Sequence, residues 1–227
     1  KPLSVIGVIS VRGPGIDSNC LSMEKLGGKR LLDWTIEAAC NSEKIEKVVL
    51  DTPDNEIFEY SKRLNNSKLI PLCRPIEFAK INTPIRATLL HALETAEKVR
   101  GSKYDALFQL MIESPLRNSK HLDSAIRVME LFETDLVIGV RTENDIFYNH
   151  NGHGLCPINK SSQLRLERKD IFREVGSMRL IRSDHIRNNK NLDNSKVGHV
   201  VLDQKASTRL VSKLDWMFAD FILSNDL

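Results

Sequence analysis

The side chains best equipped for chemistry in this sequence are arginines set beside glycines or at the ends of apolar runs. Arg12 follows the run Leu3–Val11 and opens the loop Arg12-Gly13-Pro14-Gly15. The backbone N–H groups of Gly13 and Gly15, together with the Arg12 guanidinium, can cradle a phosphate at the end of a buried strand. The plainer alternatives are a solvated loop arginine and glycines that only make the turn. Arg74 and Arg168 can hold a nucleotide or a sugar carboxylate, or form surface or interface salt bridges. Asp51, Asp54 and Glu113 fall at the carboxyl ends of predicted strands, where carboxylates can gather a cation. His150 and His153 flank the pair Asn151-Gly152; two histidines rarely suffice to hold a metal, so none is assigned to them.

The elements that must position these residues alternate. Leu3–Val11 is β-branched and almost continuously apolar, as a strand buried on both faces of a parallel sheet must be. Apolar residues at helical spacing follow at 31–39, then a strand at 47–50. Next comes a helix at 54–64, with Ile57, Phe58 and Leu64 expected inward. Leu69–Pro71 reads as a short strand, 83–99 as an amphipathic helix, 106–111 as a strand, 121–132 as a helix and 136–140 as a strand. Strand and helix in alternation predict an α/β domain, 1–227, with a mainly parallel sheet and helices on both faces. After Arg141 the pattern changes. The Asn-Gly turn within Phe147–Leu155 predicts a hairpin, part of an arm over about 143–175 that protrudes from the domain. Ser177–Ile181 reads as a strand returning to the sheet, and 214–223 as a closing helix.

Charge narrows the function classes. Lys and Arg number 33 against 30 Asp and Glu, for a net charge of +3, and the basic residues are dispersed. That argues against nucleic acid and is compatible with an anionic small ligand. Cysteines at 20, 40, 73 and 156 form no CxxC pair, which predicts reduced thiols in the cytoplasm. No apolar run approaches the roughly 20 residues of a membrane span, and Val5–Val11 is too short for a signal peptide.

Three segments in order resemble the CMP-sialic acid synthetase (acylneuraminate cytidylyltransferase) family. The first is Val11-Arg12-Gly13 followed by Leu26-Gly27-Gly28-Lys29, where the family has ARGGSK and LGGKPL. The second is Arg74-Pro75-x-Glu77-Phe78-Ala79 with His91-Ala92-Leu93-Glu94, similar to RPxELA and HALE. The third is Ser114-Pro115-Leu116-Arg117, similar to the end of QPTSPLR. Glu174-x-Gly176 and Leu214-Asp215-Trp216 are fainter echoes. The resemblance implies a nucleotidyltransferase-like fold, a dimerisation arm and hence a homodimer. It further implies transfer of CMP from CTP to a sugar acid, a reaction that needs cations on phosphate oxygens and Mg²⁺ held by carboxylates.

The departures are concentrated in that chemistry. Against the family's ARxGSKxxxxKN this loop places Gly15 at the serine, Ile16 and Leu21 at the lysines and Ser22 at the asparagine. Met111 stands at a glutamine implied to read the base, Ile81 at an aspartate, and Arg209-x-Val211 at the metal-binding DxD. Arg12, Arg74, Arg117 and Arg168 survive, with Arg168 on the sugar side. The expectation is a cytidylyltransferase-like domain without the standard activity, serving binding, assembly or regulation. Its partners would be a second copy, an active enzyme domain, or a nucleotide or sugar ligand, with no nucleic acid and no membrane. The alternative is an active nucleotidyltransferase whose Asp51, Asp54 and Glu113 build a rearranged site with Arg12, and only that alternative calls for Mg²⁺. A sugar-nucleotide-dependent glycosyltransferase is a lesser reading, since no DxD follows a strand.

Overall fold

The computed structural model describes residues 2–80, 83–158, 170–188 and 195–225. The first apolar run forms β1 (Val5–Ser10), and Gly27-Gly28 turns a small hairpin between β2 (Lys25–Leu26) and β3 (Lys29–Arg30). Then follow α1 (Leu31–Cys40), β4 (Ile45–Thr52), α2 (Asn55–Arg63), β5 (Leu69–Cys73), α3 (Ile85–Arg100), β6 (Ala106–Leu110), α4 (Ser119–Phe132) and β7 (Leu136–Glu143). The chain continues through the hairpin strands β8 (Tyr148–His150) and β9 (Leu155–Pro157) into the long β10 (Ile171–Arg182). It ends with α5 (Ser183–Arg187), β11 (Val197–Val201) and α6 (Lys213–Ser224).

Seven strands make one sheet in the order β11-β7-β10-β6-β1-β4-β5. Only β10 runs against its neighbours; the pairs β1–β4, β1–β6, β4–β5 and β7–β11 are parallel. Side chains alternate across the sheet, so β1 sends Val5 and Ile9 to one core and Ile6 and Val8 to the other. The first core packs under α1, α4 and α6 through Leu32, Ile36, Ile126, Met129 and Ile222. The second packs under α3 and α5 through Leu89, Leu93 and Ile186. The parallel strands therefore end together on one edge, which β1, β4, β5 and β6 reach at Ser10, Thr52, Cys73 and Leu110.

The sequence misplaces some details. Helix α2 stops at Arg63, which leaves Leu64 exposed at its C-cap and Phe58 half-buried, while Ser61 takes the inward position beside Ile57. β10 is longer than the predicted 177–181. β11 goes unread in the sequence because it is an edge strand with only Gly198 buried, so it carries no continuous apolar run. The Asn151-Gly152 hairpin is present, whereas most of the arm's second half, 159–169, lies outside the described residues.

Gly27 and Gly28 both have positive φ, 56° and 82°, as a two-residue hairpin turn requires. A Cβ on Gly27 would overlap the Leu223 side chain, and the Gly27 N–H donates to Asp220 Oδ1 at 2.7 Å; a Cβ on Gly28 meets nothing within 4 Å. Gly27→Ala is therefore expected to cost about 1–3 kcal/mol in urea unfolding, and Gly28→Ala clearly less. Equal losses at the two positions would mean that backbone strain alone, and not the packing on α6, governs this turn.

Candidate functional site

Two clefts open along the edge where the parallel strands end. The first, of about 360 Å³, is lined by Ser10, Arg12, Arg74, Phe78, Glu113 and Trp216, among others. The Arg12 side chain makes one hydrogen bond among the described residues, a long one of 3.5 Å to the Lys80 carbonyl, so its guanidinium is open to a ligand. The loop behind it is folded on itself: the N–H groups of Ile16 and Asp17 donate to the Gly13 carbonyl at 3.2 and 2.9 Å.

Asp54 closes this loop from behind. Its Oδ1 caps α2 by accepting from the N–H groups of Glu56 and Ile57 at 2.9 and 3.3 Å. Its Oδ2 accepts from the Gly15 N–H at 2.9 Å, and a Cβ at Gly13 would overlap the same carboxylate. The donor that Gly15 would offer a phosphate is thus given to a fixed carboxylate of the chain itself. Ile16 and Leu21, where the resemblance places lysines, are 45% and 47% exposed.

Asp51 and Arg74 are joined beneath the cleft floor. Arg74 Nε lies 2.9 Å from Asp51 Oδ2, and its Nη2 donates to the carbonyls of Asp51 and Val11 at 2.8 and 3.2 Å. Both side chains are almost completely buried. Burial pushes the Asp51 carboxyl up to about 6 and Arg74 pulls it back; burial likewise lowers the Arg74 guanidinium, with Asp51 opposing. This pair ties the ends of β1, β4 and β5 together.

Arg117 is also internal. Its guanidinium donates to the Ser177 carbonyl and, at 3.3 Å, to that of Met111, which locks the start of α4 to β10. Burial lowers it to about 10, with the nearby Glu113 charge opposing. Glu113 lines the first cleft, and its carbonyl accepts from the Leu210 N–H at 2.8 Å. That bond stitches residues 111–113 to 209–211, and the resulting ridge separates the two clefts.

The second cleft is larger, about 920 Å³, and its walls carry Arg141, Arg173, Arg179 and Arg209 with Glu174 and Asp215. Met111 belongs here, away from Arg12. Three of these arginines, Arg141, Arg173 and Arg179, were not singled out from the sequence, because only the pairing of β7 with β10 brings them together. Arg168 and Ile81 lie outside the described residues.

The Mg²⁺ implied by the resemblance does not fit what is present. Arg209 and Val211 occupy the expected carboxylate positions, and both are exposed. Asp51 and Asp54 are committed to Arg74 and to the loop. Among the described residues no three His, Cys, Asp or Glu side chains come together. An arginine offers a divalent cation repulsion and no lone pair.

Comparison with known proteins agrees with this architecture. Residues 22–130 match the family model described as cytidylyltransferase. Over nearly its whole length the chain is similar in structure to 4-diphosphocytidyl-2C-methyl-D-erythritol synthase from Anaerococcus prevotii, with a TM-score of 0.72 at 12% identity, covering 98% of this chain and 96% of that one. It is likewise similar to a CMP:2-keto-3-deoxy-manno-octonic acid synthetase complexed with CTP, with a TM-score of 0.69 at 13% identity, covering 99% and 100%. At those identities the likeness is one of fold.

Proposed function

We propose that this chain, a cytidylyltransferase-family domain across its residues 22–130, acts by binding or assembly and does not carry out CTP-dependent transfer. One observation carries the reading: the Gly15 N–H is held by the Asp54 carboxylate in a loop whose lysine positions are Ile16 and Leu21. A triphosphate approaching Arg12 meets one cation with no carboxylate partner among the described residues, a second already paired with Asp51, a fixed negative charge and two apolar side chains. Little remains there to neutralise the charge that gathers on phosphate oxygens in the transition state. The test is pyrophosphate release from CTP and Mg²⁺ across a panel of sugar acids. No release is expected; turnover of even about one per second overturns the reading, and Glu113 beside Arg12 would then be the first residue to substitute.

Assembly as a homodimer is part of the same proposal. The hairpin of β8 and β9 exposes Tyr148 and Leu155, 51% and 69% accessible, and Phe172 at the base of the arm is 43% accessible. Apolar side chains grouped on a protrusion favour an isologous contact with a second copy. Sedimentation at micromolar concentration should show a dimer that Tyr148→Asp with Leu155→Asp converts to monomer; a wild-type monomer would remove this part of the proposal. A cytoplasmic location is favoured by four free thiols, and among the described residues no helix is long and apolar enough to cross a membrane.

A further inference from the structure

The four arginines of the second cleft are not equally committed. Arg173 Nε pairs with Glu143 at 2.7 Å, and Arg179 Nε pairs with Glu174 at 2.6 Å, with a second bond from its Nη2 at 3.0 Å. Arg141 and Arg209 have no carboxylate partner among the described residues. Asp215, the other acid in the cleft, is occupied at the start of α6, where it accepts from the Ser212 N–H and hydroxyl, both at 2.7 Å. The backbone adds to the strain. Arg141 and Arg173 stand directly opposite each other in the β7–β10 pairing, an arrangement of like charges that is unfavourable by itself. The register between these strands then shifts between Glu174 and Arg179, a bulge that turns Gly176 toward Arg209, whose Nη1 lies 3.8 Å from where a Cβ would be. Bulges of this kind re-aim side chains beside sites.

From this arrangement we infer that the second cleft is a metal-independent site for a small organic diphosphate, held by Arg141 and Arg209. Two guanidinium groups without a carboxylate partner among the described residues and two half-neutralised ones match a ligand with at least two negative charges, and their planar forks suit phosphate oxygens. A bound diphosphate would also relieve the repulsion between Arg141 and Arg173. Val211, Leu214 and Phe218 on the same wall offer an apolar surface to the organic part, and a cleft of about 920 Å³ is ample for a nucleotide-sized molecule. Arg209 stands where the resemblance expects metal-binding carboxylates, so the positive charge comes from the chain itself. This goes beyond the loss of turnover and stands whether or not transfer occurs.

The experiment is calorimetric titration of the full chain with inorganic pyrophosphate and with CDP, in EDTA at two salt concentrations. Saturable binding that weakens with salt is expected. Arg141→Ala and Arg209→Ala should each weaken it about tenfold or more, while Arg127→Ala, on the exposed face of α4, leaves it unchanged. Adding Mg²⁺ should weaken binding, because the metal complex carries less negative charge. Arg141→Ala should not lower the melting temperature, since it removes a repulsion; a lower one would make Arg141 a structural residue and overturn its assignment. Absence of binding, a requirement for Mg²⁺, or loss of binding in Arg12→Ala with Arg141→Ala and Arg209→Ala unaffected would each overturn the inference. The last result would place the anion in the first cleft, and none of the three depends on the turnover assay.

Discussion

Replacing Ile16 and Leu21 by lysine, singly or together, is expected to restore no measurable pyrophosphate release. On the proposed reading the deficit is spread over five positions, Ile16, Leu21, Met111, Arg209 and Val211, where the resemblance places two lysines, a glutamine and two metal-binding carboxylates. A charge-assisted contact contributes roughly 1.5–3 kcal/mol. Even far from additive, four such contacts and one neutral amide amount to about 5–10 kcal/mol of transition-state stabilisation, or about four to seven powers of ten in rate. Two lysines return only part of that and leave Arg209 in place of a metal ligand. Their charge would also be offset by Asp54, which already holds the Gly15 N–H. The measurement is enzyme-coupled detection of pyrophosphate with CTP, Mg²⁺ and a sugar acid. Activity recovered by the lysines alone would mean that the metal deficit is illusory and that carboxylates elsewhere, Glu113 first, complete the site.

Arg74→Ala should be among the most destabilising single changes in the chain. It strands Asp51, which is wholly buried and whose Oδ1 already lacks a hydrogen-bond partner among the described residues, where the Ser10 hydroxyl at 3.5 Å is all that remains. Removing one member of a buried ion pair typically costs about 3–5 kcal/mol. The pH dependence gives a second readout. A carboxyl whose folded pKa is raised stabilises the fold at low pH and loses that contribution as pH rises through the folded value. For Asp51 the window runs from its ordinary 3.8 to about 6 with Arg74 present. Without Arg74 the principal opposing charge is gone and the window extends upward. The gap between wild type and Arg74→Ala in urea unfolding should therefore be wide at pH 7.5 and narrower at pH 5.5. The double change Arg74→Met with Asp51→Asn should recover most of the loss, because no uncompensated charge remains. A gap that is small, or equal at both pH values, would show that water reaches Asp51.

These two sites mark what the sequence discloses. The core strands were legible because β1, β4 and β6 each carry a short buried apolar stretch, such as Val48–Leu50 in β4 and Ala106–Phe108 in β6. Helix α3 was legible from its 3.6-residue spacing, with Leu89, Ala92, Leu93 and Ala96 inward. Asp54 was visible as an acid at the end of a strand; its cap on α2 is local, but its bond to Gly15, 39 positions earlier, exists only once β1 and β4 lie side by side. Arg74 and Asp51 were each singled out, as a ligand cation and a metal carboxylate, whereas folding presses them against each other. Arg141 and Arg173 were invisible as a pair because their meeting depends on the register of strands joined through the arm and offset by a bulge. Periodicity reports which face a residue takes; it says nothing about which distant residue shares that face.

The single reversed strand has a consequence for the newborn chain. By the time Phe132 has been made, β5, β4, β1 and β6 can already lie side by side, but β6 then shows the bare edge Ala106–Leu110 to its surroundings. Its partner in β10, Met178–Arg182, arrives about seventy residues later, and β7 and β11 can join the sheet only through β10. A ribosome therefore holds a half-finished sheet with an apolar, unpaired margin until β10 has been made, the kind of margin that recruits other strands. Chains that stop early in the arm should be recovered as aggregates, and the late reversal of β10 is the step that releases the molecule from that hazard.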